Sequence, residues 1–531
     1  MLDRFAGGVL RSGLILALAA ILCVGCAPMP IASPSAPTSA LADPENTDLG
    51  RRVAQIGLDH PGLSAFHVLP TGTQALAARA GMIDAAQRTL DLQYYMVHEG
   101  LTTDYLLQKL IAAADRGVRV RFLIDDSSVW GRDAGTAALS SHPSIEVRVF
   151  NSIGVGRHSS LGRAMALALG VARLHRRMHN KMLVADNTAA IIGGRNLADE
   201  YFGAAPEMNF ADLDLLIAGP VVREVSASFD EYWNSRWAVP IESLTATLKV
   251  DVKQERARLD KKLEQHRKRG AEYFLELDRA GEITAKLEPE LSWVWAAGRA
   301  VYDSPDKMGD QAEITAATHI GPRLLELLDP VHSELVMISA YFIPGDDGAA
   351  RLEALAERGV RVTVVTNGLA ATDVTAVYAA YAPYRERLVR GGVQLYEISP
   401  DPKIRTEAKK HGMVMGSSSA SLHTKAIVFD GKRAFVGSMN LDPRSQRWNT
   451  EIGVLVESPE LAQQILKIIH IGARPDNSYH VVLDTTKGGK EKLNWIGMKD
   501  GAEHRYTSEP AGWWRSFEAT MMNWVLPQEL L

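Results

Sequence analysis

The sequence predicts an α/β protein made of two tandem domains, each a mixed, largely parallel sheet flanked by helices. One polar motif occurs twice, and in both halves helix-like segments alternate with apolar, strand-like segments. The halves also align at a nearly constant offset, since His423 follows His179 by 244 positions and Arg358 follows Arg116 by 242. Such an offset indicates tandem duplication. We therefore expect two halves of one fold that meet about a pseudo-twofold axis.

The first predicted domain, residues 61–245, begins with a β-α-β pattern. One helix-like segment leads into the strand LDLQYYMV (90–97), and a second leads into the strand VRVRFLID (118–125). Another strand, IEVRVF, follows a turn at His142-Pro143. Helices and strands that alternate in this way predict a parallel sheet covered by helices.

The second predicted domain, residues 291–500, repeats this plan. ELVMISAYFIP (334–344) matches the first strand of the other half, and AERGVRVTVVTNG (356–368) matches the second. Between the domains, residues 246–290 are dense in charge and predict an exposed helical connector with i,i+4 ion pairs. Contact between lipid and the basic part of this connector is the alternative.

The repeated motif is His-x-Lys-x4-Asp-x6-Gly-x-x-Asn. In each copy two apolar runs flank a turn dipeptide, Asp186-Asn187 or Asp430-Gly431, which predicts a β-hairpin with a two-residue turn. Folding about these turns sets each His opposite the residue after the motif Gly, and each His and Lys share a strand face. The motif residues are His179, Lys181, Asp186, Gly193 and Asn196, then His423, Lys425, Asp430, Gly437 and Asn440; the residues opposite the histidines are Gly194 and Ser438.

Each motif copy suits a phosphate group. Lys and Asn donate hydrogen bonds to phosphoryl oxygens, and His can attack phosphorus or supply a proton. The motif Asp faces the other way along a strand, as a turn residue would, and we include it because the motif contains it. The predicted catalytic residues are His179, Lys181, Asp186, His423, Lys425 and Asp430, with Asn196 and Asn440 as phosphate ligands and with no metal or cofactor.

The doubled motif resembles the phospholipase D superfamily. From about residue 65 to the C-terminus the chain resembles its bacterial cardiolipin synthase branch, the C-type in particular. The stretches that carry this resemblance include ADRGVRVRFLIDD (114–126), RRMHNKMLVADNTAAIIGGRNLADEYF (176–202) and GSMNLDPRSQRWNTEIGVLVES (437–458). The resemblance implies a membrane-associated phosphatidyltransferase that makes cardiolipin from phosphatidylglycerol and a second phospholipid through a phosphohistidine. The phosphatidyl donor is then phosphatidylglycerol or phosphatidylethanolamine.

Together with the duplication, the resemblance implies one active site shared by the two halves. It also implies roles for individual residues. In the family a carboxylate after each motif orients the His of the opposite half, which assigns that role to Asp212 and Glu451, with Asp214 as the alternative to Asp212. Unperturbed His titrates at about 6.5, so modest differences in environment can keep one His neutral and the other protonated. Analogy favours His179 as the nucleophile and His423 as the general acid and later base, but the residues themselves leave this open.

Three other functions stay open: a phospholipase D-type hydrolase that releases phosphatidic acid, a nuclease of the same fold, and a non-catalytic lipid-binding protein. The formal net charge of −5 provides no basic field that would recruit nucleic acid, so we expect no nucleic-acid partner. Two complete motif copies argue against a non-catalytic protein. The expected partners are phospholipid substrates and a membrane surface.

Residues 1–26 resemble a bacterial lipoprotein signal. An apolar run follows Arg4 and Arg11 and ends just before Cys26, which would be the lipidated first residue of the mature chain. An uncleaved anchor or an ordinary secretory signal is the alternative. Both cysteines of the chain lie here, which excludes disulfides and Cys-ligated zinc. Residues 27–60 predict a flexible tether, and together these features predict a lipid-anchored protein of the cell envelope, on the periplasmic side of a bacterial membrane.

Two further segments are candidates for contact with lipid. The arginine-rich residues 154–178 predict either an approach for anionic headgroups or the solvated face of a packed helix. The tail, residues 501–531, clusters aromatic residues in a way that suits either a membrane interface or packing against the body. The residues concerned are Arg157, Arg163, Arg173, Arg176 and Arg177, and in the tail Trp513, Trp514, Phe517, Met521 and Trp524.

Overall fold

The structure is a computed structural model that describes most of the chain from residue 37 onward. The described residues are 37–129, 133–152, 175–245, 251–284, 292–309, 315–400, 419–485, 488–499, 501–512, 515, 517–519 and 521. The predicted lipoprotein signal with Cys26, and Arg157, Arg163, Arg173, Trp513, Trp514 and Trp524, lie outside the described residues.

The first half is built on a mixed sheet. Its strands are β1 (Ser64–Leu69), β2 (Thr89–Tyr94), β3 (Arg119–Asp125), β4 (Ile145–Phe150), β5 (Met182–Ala185), β6 (Ala189–Gly193), β7 (Met208–Ala211), β8 (Asp214–Ala218) and β9 (Ala238–Pro240). All but β7 join the sheet, in the order β1-β8-β6-β5-β2-β3-β4-β9, and only β2, β3 and β4 are parallel. The sheet is mixed as predicted, but its parallel part is smaller than predicted, because the motif hairpin and its neighbours add antiparallel strands.

The second half repeats this arrangement. Its strands are β10 (Val294–Tyr302), β11 (Glu334–Ser339), β12 (Arg361–Asn367), β13 (Gln394–Ile398), β14 (Ser419–Leu422), β15 (Lys425–Phe429), β16 (Arg433–Gly437), β17 (Ile452–Glu457), β18 (Ser478–Thr485), β19 (Glu491–Lys499) and β20 (Ala502–Tyr506). The sheet order β10-β17-β16-β15-β11-β12-β13-β18 matches the first half strand for strand. The predicted duplication therefore extends to the whole sheet.

One strand joins the two sheets. The first three residues of β10 pair with β1, and the remaining six pair with β17. An apolar core at this junction draws on both halves and includes Val184 and Ile192 from the first and Val428 and Val436 from the second. Because burying one such side chain contributes about 1.5–3 kcal/mol, this core holds the two motif hairpins in a fixed relation.

Helices pack on both faces of the sheets. They are α1 (Asp48–Ile56), α2 (Gly72–Ala85), α3 (Leu101–Asp115), α4 (Asp126–Val129), α5 (Asp133–Ser140), α6 (Val221–Trp233), α7 (Ile241–Thr245), α8 (Val252–Arg269), α9 (Ala271–Thr284), α10 (Ile320–Glu326), α11 (Gly345–Glu357), α12 (Thr375–Tyr381), α13 (Arg385–Arg390), α14 (Pro443–Arg447) and α15 (Pro459–Gly472). The apolar residues of α6 and α15 lie in the shared core. Those of α2 and α3 form a separate core on the first sheet, and those of α11 and α12 form one on the second.

The predicted tether and connector both pack against the first half. Helix α1 buries Leu49 and Val53, so residues 37–60 are part of the folded first half and not a tether. Helices α8 and α9 of the connector bury Leu263 and Leu277. The connector is helical as predicted and buries one face against the first half, although Leu275 on α9 is 59% exposed.

The C-terminal segment divides into two parts. Strand β20 pairs with β19, so residues 502–506, which the sequence assigns to the tail, belong to the second sheet. Beyond it, Phe517 and Met521 are about half exposed, at 52% and 48%. Within the described ranges, no helix combines the length and apolar character needed to cross a membrane.

Candidate active site

Both motif copies form hairpins, β5–β6 and β15–β16, with loops one residue longer than predicted. In the first copy Ala185 pairs with Ala189, which leaves three residues in the loop, and the second copy repeats this. Two consecutive residues of each loop adopt a positive φ, beginning at the motif Asp. The longer loop shifts the register, and each ladder ends before it reaches the motif His. The predicted pairings of the histidines with Gly194 and Ser438 are therefore wrong.

The motif aspartates lie at the loop ends of the hairpins, whereas the motif histidines lie at the other ends. Asp186 accepts the backbone N–H groups of residues 87–89 at 2.8–2.9 Å. Asp430 accepts those of residues 332–334. Each aspartate thus ties its hairpin to the start of the neighbouring strand, β2 or β11. The structure leaves both outside the histidine site, which corrects their assignment as catalytic residues.

We expect Asp186→Ala to destabilise the fold and to spare the chemistry. The substitution leaves three backbone N–H groups without their acceptor, one of them buried and two partly buried, and a buried unsatisfied donor costs about 1–3 kcal/mol. The free energy of unfolding measured in urea should fall by about 3 kcal/mol. The kcat of the folded protein should stay within about twofold of the wild-type value. A loss of about 100-fold in kcat would return Asp186 to the catalytic set.

Each half sends one segment across to the histidine of the other half. The Ala211 carbonyl, at the end of β7, accepts the His423 backbone N–H at 2.8 Å, and β7 pairs in parallel with β14. In the equivalent contact, the Thr450 carbonyl accepts the His179 backbone N–H at 2.8 Å. The next residue of each segment is a carboxylate. This pairing therefore brings each carboxylate beside the imidazole of the opposite half.

Both histidines bind these carboxylates through Nδ1. The Glu451 oxygens lie 2.9 and 3.0 Å from His179 Nδ1, and Asp212 Oδ2 lies 2.6 Å from His423 Nδ1. The carboxylates are buried, and His179 and His423 are only 8% and 5% exposed. A carboxylate at Nδ1 fixes the tautomer and orientation of the ring and leaves Nε2 available for chemistry.

The two carboxylates are held in different ways. Glu451 also accepts the hydroxyls of Ser438 at 2.5 Å and Ser445 at 2.9 Å. In the place of Ser438 the first half has Gly194, where an added Cβ would overlap the Asp212 carboxylate. The close approach of Asp212 therefore requires glycine at this position. The two carboxyl–imidazole pairs are related by the duplication but are not equivalent.

Both motif lysines are buried beside the histidines. Lys181 Nζ donates to the His179 carbonyl at 2.7 Å, and Lys425 Nζ donates to the His423 carbonyl. Burial lowers the pKa of Lys181 to about 7 and that of Lys425 to about 8, although nearby carboxylates oppose the shift. Two ammonium groups in one buried site form a binding place for an anion such as a phosphodiester.

In each carboxyl–imidazole pair, the carboxyl group and the imidazole share one acidic proton. Burial, and then the lysine ammonium groups, lower the pKa of both imidazoles well below the usual value. Burial also raises the pKa of Asp212, and it raises that of Glu451 to about 7. A proton on the carboxyl group can pass to Nδ1 of the imidazole while Nε2 gives its proton to the reacting group. A protonated pair can thus act as a general acid, and a pair that has lost this proton can act as a nucleophile or base.

We expect kcat/KM to fall as the pH rises above about 7, because Lys181 then loses its charge and its attraction for phosphate. In Lys181→Arg the guanidinium stays charged, so this alkaline limb should move upward by at least about one pH unit, even if the variant is slower. Measured pH–rate profiles of the two proteins test this. An alkaline limb at the same pH in both would assign it to another group.

The two motif asparagines differ in their partners. Asn196 Nδ2 donates to the Tyr201 hydroxyl at 2.9 Å, and its Oδ1 accepts the Met96 N–H at 3.2 Å. The Asn440 Oδ1 is buried and has no hydrogen-bond partner within the described part of the chain. Both polar atoms of the Asn196 side chain are therefore hydrogen-bonded within the protein, whereas Oδ1 of Asn440 can accept a hydrogen bond from a ligand.

Sequence reasoning missed the aromatic walls of the site. Tyr95 packs edge-on against His179 with ring centroids 5.1 Å apart, and Tyr201 and Phe210 pack against His423 at 5.0 and 5.1 Å. Tyr95 follows β2 directly, and a polar aromatic residue at the carboxyl end of a parallel strand was the available signal.

Sequence reasoning also missed the side chain that accepts the backbone N–H of the residue before each histidine. Asp125 accepts the Met178 N–H at 2.8 Å, and Asn367 accepts the Leu422 N–H at 2.9 Å. A polar residue at the carboxyl end of both β3 and β12 was the signal for this role.

Asp214, the alternative His partner, pairs instead with a buried arginine at 2.8 Å. In the described ranges no cluster of three His, Cys, Asp or Glu side chains is arranged to hold a metal ion.

Comparison with known proteins places this site in a family. The family described as "Cardiolipin synthase, PLD-like domain" matches residues 80–233 and 324–470, one match in each half. The chain belongs to this family. Within it, cardiolipin synthase C from Escherichia coli (strain K12) is 35% identical over 485 residues, which cover 91% of this chain and 99% of that protein. Cardiolipin synthase A from Pseudomonas entomophila (strain L48) is 25% identical over 81% of this chain and 72% of that protein.

A solved structure shares the fold. Phosphatidylserine synthase from Haemophilus influenzae Rd KW20 superposes with a TM-score of 0.50 at 13% identity, over 80% of this chain and 90% of that one. The predicted tandem architecture and the predicted membership of the phospholipase D superfamily, in its cardiolipin synthase branch, are thus confirmed.

Proposed function

We propose that this protein is a membrane-associated phosphatidyltransferase that makes cardiolipin from phosphatidylglycerol and a second phospholipid through a phosphohistidine intermediate. Similarity to cardiolipin synthase C along nearly the whole of both chains supports the product. One observation carries the mechanism. Two buried imidazoles are each hydrogen-bonded to a carboxylate of the opposite half, beside two buried lysines.

In the first step, the Nε2 lone pair of His179 attacks the phosphorus of the donor lipid. The bond from phosphorus to the headgroup oxygen breaks, and that oxygen takes the proton from His423 Nε2. Asp212 returns a proton to the other nitrogen of His423. Glu451 stabilises the positive charge on the phosphoryl-imidazole, and the two lysine ammonium groups stabilise the charge on the phosphoryl oxygens.

In the second step, a hydroxyl of phosphatidylglycerol attacks the phosphohistidine. The new P–O bond forms as the P–N bond breaks, the electron pair returns to His179 Nε2, and His423 Nε2 takes the hydroxyl proton. The product is cardiolipin, whereas attack by water in the same step gives phosphatidic acid. The low exposure of both histidines limits access of water and supports transfer over hydrolysis.

The proposed site of action is the periplasmic side of a bacterial membrane. A lipid on Cys26 would anchor the chain there. The exposed Phe517 and Met521, four residues apart in the C-terminal segment, would add an apolar contact with the bilayer. Such anchoring raises the effective concentration of lipid alcohols at the histidines.

Product analysis tests the proposal. Purified protein is incubated with vesicles of labelled phosphatidylglycerol, with and without phosphatidylethanolamine, and the lipids are separated. Cardiolipin should be the main labelled product and should be absent with His423→Ala. Phosphatidic acid alone would assign the protein as a hydrolase, and no product from folded protein would favour a non-catalytic lipid-binding protein. Degradation of DNA that His179→Ala abolishes would favour a nuclease.

A further inference from the structure

The surroundings of the two histidines differ in charge. Four residues after the motif Asn the first half has Glu200, whereas the second half has Arg444. Glu200 precedes Tyr201, whose ring packs against His423. Burial and the lysines lower the pKa of His179 most, and the charge of Arg444 lowers it further. The charges around the two histidines therefore differ: Arg444 acts on His179, whereas Arg195 acts on His423 and Glu200 lies next to the tyrosine that packs against His423.

A hydrogen-bonded phenol–carboxylate pair provides a further acid on the His423 side. The half-buried Tyr341 donates its hydroxyl to Asp373 Oδ2 at 2.9 Å, and Asp373 is exposed. Burial lowers the pKa of Lys425, and Asp373 is among the carboxylates that oppose this shift. Burial raises the pKa of Tyr201, and the charge of Asp373 raises it further. Asp373 thus lies within electrostatic reach of the groups around His423 while it faces solvent.

The backbone of Tyr341 is fixed beside the second motif copy. Its carbonyl accepts the Leu441 N–H at 3.2 Å. The neighbouring Asn440 is the residue whose buried Oδ1 has no partner within the described part of the chain. At the equivalent place in the first half stands Met96, which accepts the Leu197 N–H at 3.0 Å. A phenol–carboxylate pair therefore occurs on one side of the site and has an apolar residue as its counterpart on the other.

The loop that carries Asp373 is held on both sides. Arg515 from the C-terminal segment donates to the carbonyls of Leu369 at 2.8 Å and Thr372 at 3.0 Å. The Thr372 hydroxyl accepts the Val374 N–H at 3.2 Å. These contacts fix the backbone around Asp373, so its carboxylate is positioned before a ligand arrives.

We propose that Tyr341 and Asp373 bind the glycerol headgroup of the acceptor lipid on the His423 side and so select a lipid alcohol over water. This inference rests on the proposed transfer reaction and names the acceptor part of its site. A glycerol headgroup carries two adjacent hydroxyls, so one can attack phosphorus while the other donates to the Asp373 carboxylate. Water has no second hydroxyl for this contact and gains nothing from it.

The pair takes no part in the bond changes. The attacking oxygen bonds to phosphorus as the bond to His179 Nε2 breaks, and its proton goes to His423. Asp373 neither gains nor loses a proton. Its contribution is to hold the headgroup so that the attacking hydroxyl lies between phosphorus and His423.

The ratio of cardiolipin to phosphatidic acid, formed on phosphatidylglycerol vesicles, tests this inference. In Asp373→Asn the ratio should fall about tenfold, because transfer loses more than hydrolysis when the hydrogen bond to the headgroup is weakened. In Tyr341→Phe it should fall about threefold, because Asp373 then loses the hydroxyl that positions its carboxylate. Asp329→Asn is the matched control. It removes a carboxylate that is 77% exposed, before the amino end of β11, and should leave the ratio unchanged.

Thermal unfolding of each variant establishes that it is folded. If Asp373→Asn does not fold, the product ratio of Tyr341→Phe alone decides the test. An unchanged ratio in the folded variants would overturn the inference and leave the transfer reaction standing. Loss of both products in equal proportion would also overturn it, since the pair would then serve the fold or the chemistry in general. Wild-type protein that makes neither lipid would remove the proposed function and this inference together.

Discussion

Replacing His179 with alanine is expected to lower the formation of both cardiolipin and phosphatidic acid by about 10⁴-fold. Both products pass through the same covalent intermediate, so losing the nucleophile should stop transfer and hydrolysis together. The imidazole is buried against Glu451, and no rearrangement of lipid at the surface can replace it. Initial rates on phosphatidylglycerol vesicles, with thermal unfolding of the same preparation, measure the effect.

His332→Ala is the matched control for this substitution. That imidazole is exposed and precedes β11, at the edge of the sheet opposite the motif histidines. Its rate should stay within about twofold of the wild-type rate. A folded His179→Ala protein that keeps more than about a tenth of wild-type turnover would exclude His179 as the nucleophile.

Glu451→Gln is expected to lower turnover by about 10³-fold, within the range for groups that control proton transfer. Glutamine keeps the size of the side chain but has no charge to stabilise the phosphoryl-imidazole. Its amide N–H would also donate to Nδ1 of His179 and impose the tautomer in which Nε2 carries the proton and cannot attack. Ser438 and Ser445 would lose the charged acceptor that they share.

Rapid mixing with labelled donor distinguishes this effect from general damage to the site. Because Glu451 contacts His179, its substitution should slow formation of the covalent intermediate. Glu457→Gln, at the exposed far end of the strand that follows Glu451, should keep the rate within about twofold of wild type. A loss of less than about tenfold in Glu451→Gln would contradict the role assigned to this carboxylate.

The chemistry of the motif could be predicted from the sequence because it is local and repeated. His179 and Lys181 are two positions apart just before β5, and the second copy of this spacing makes chance an inadequate explanation. The contact between Asp212 and His423 joins residues 211 positions apart and depends on the pairing of β7 with β14. Spacing alone could not show it, and it entered only through the family resemblance.

Other features were mispredicted or missed for physical reasons. The dipeptide at Asp186 signals a turn, but whether a third residue joins the loop depends on its positive φ values and on the strands around it. The composition of the predicted tether carried no information on the docking of Leu49. Tyr341 and Asp373 are 32 positions apart in the sequence. They meet only because Tyr341 follows β11, Asp373 lies in the loop after β12, and these two strands end at the same edge of the sheet.

Trapping the covalent intermediate tests the two-step transfer through His179 most directly. Protein mixed with phosphatidylglycerol is quenched in alkaline denaturant, digested and examined by mass spectrometry. We predict a phosphatidyl group on the peptide that contains His179, formed before cardiolipin appears and absent in His179→Ala. Cardiolipin formation without any adduct, or an adduct at His423 instead, would contradict the assignment of His179 as the nucleophile.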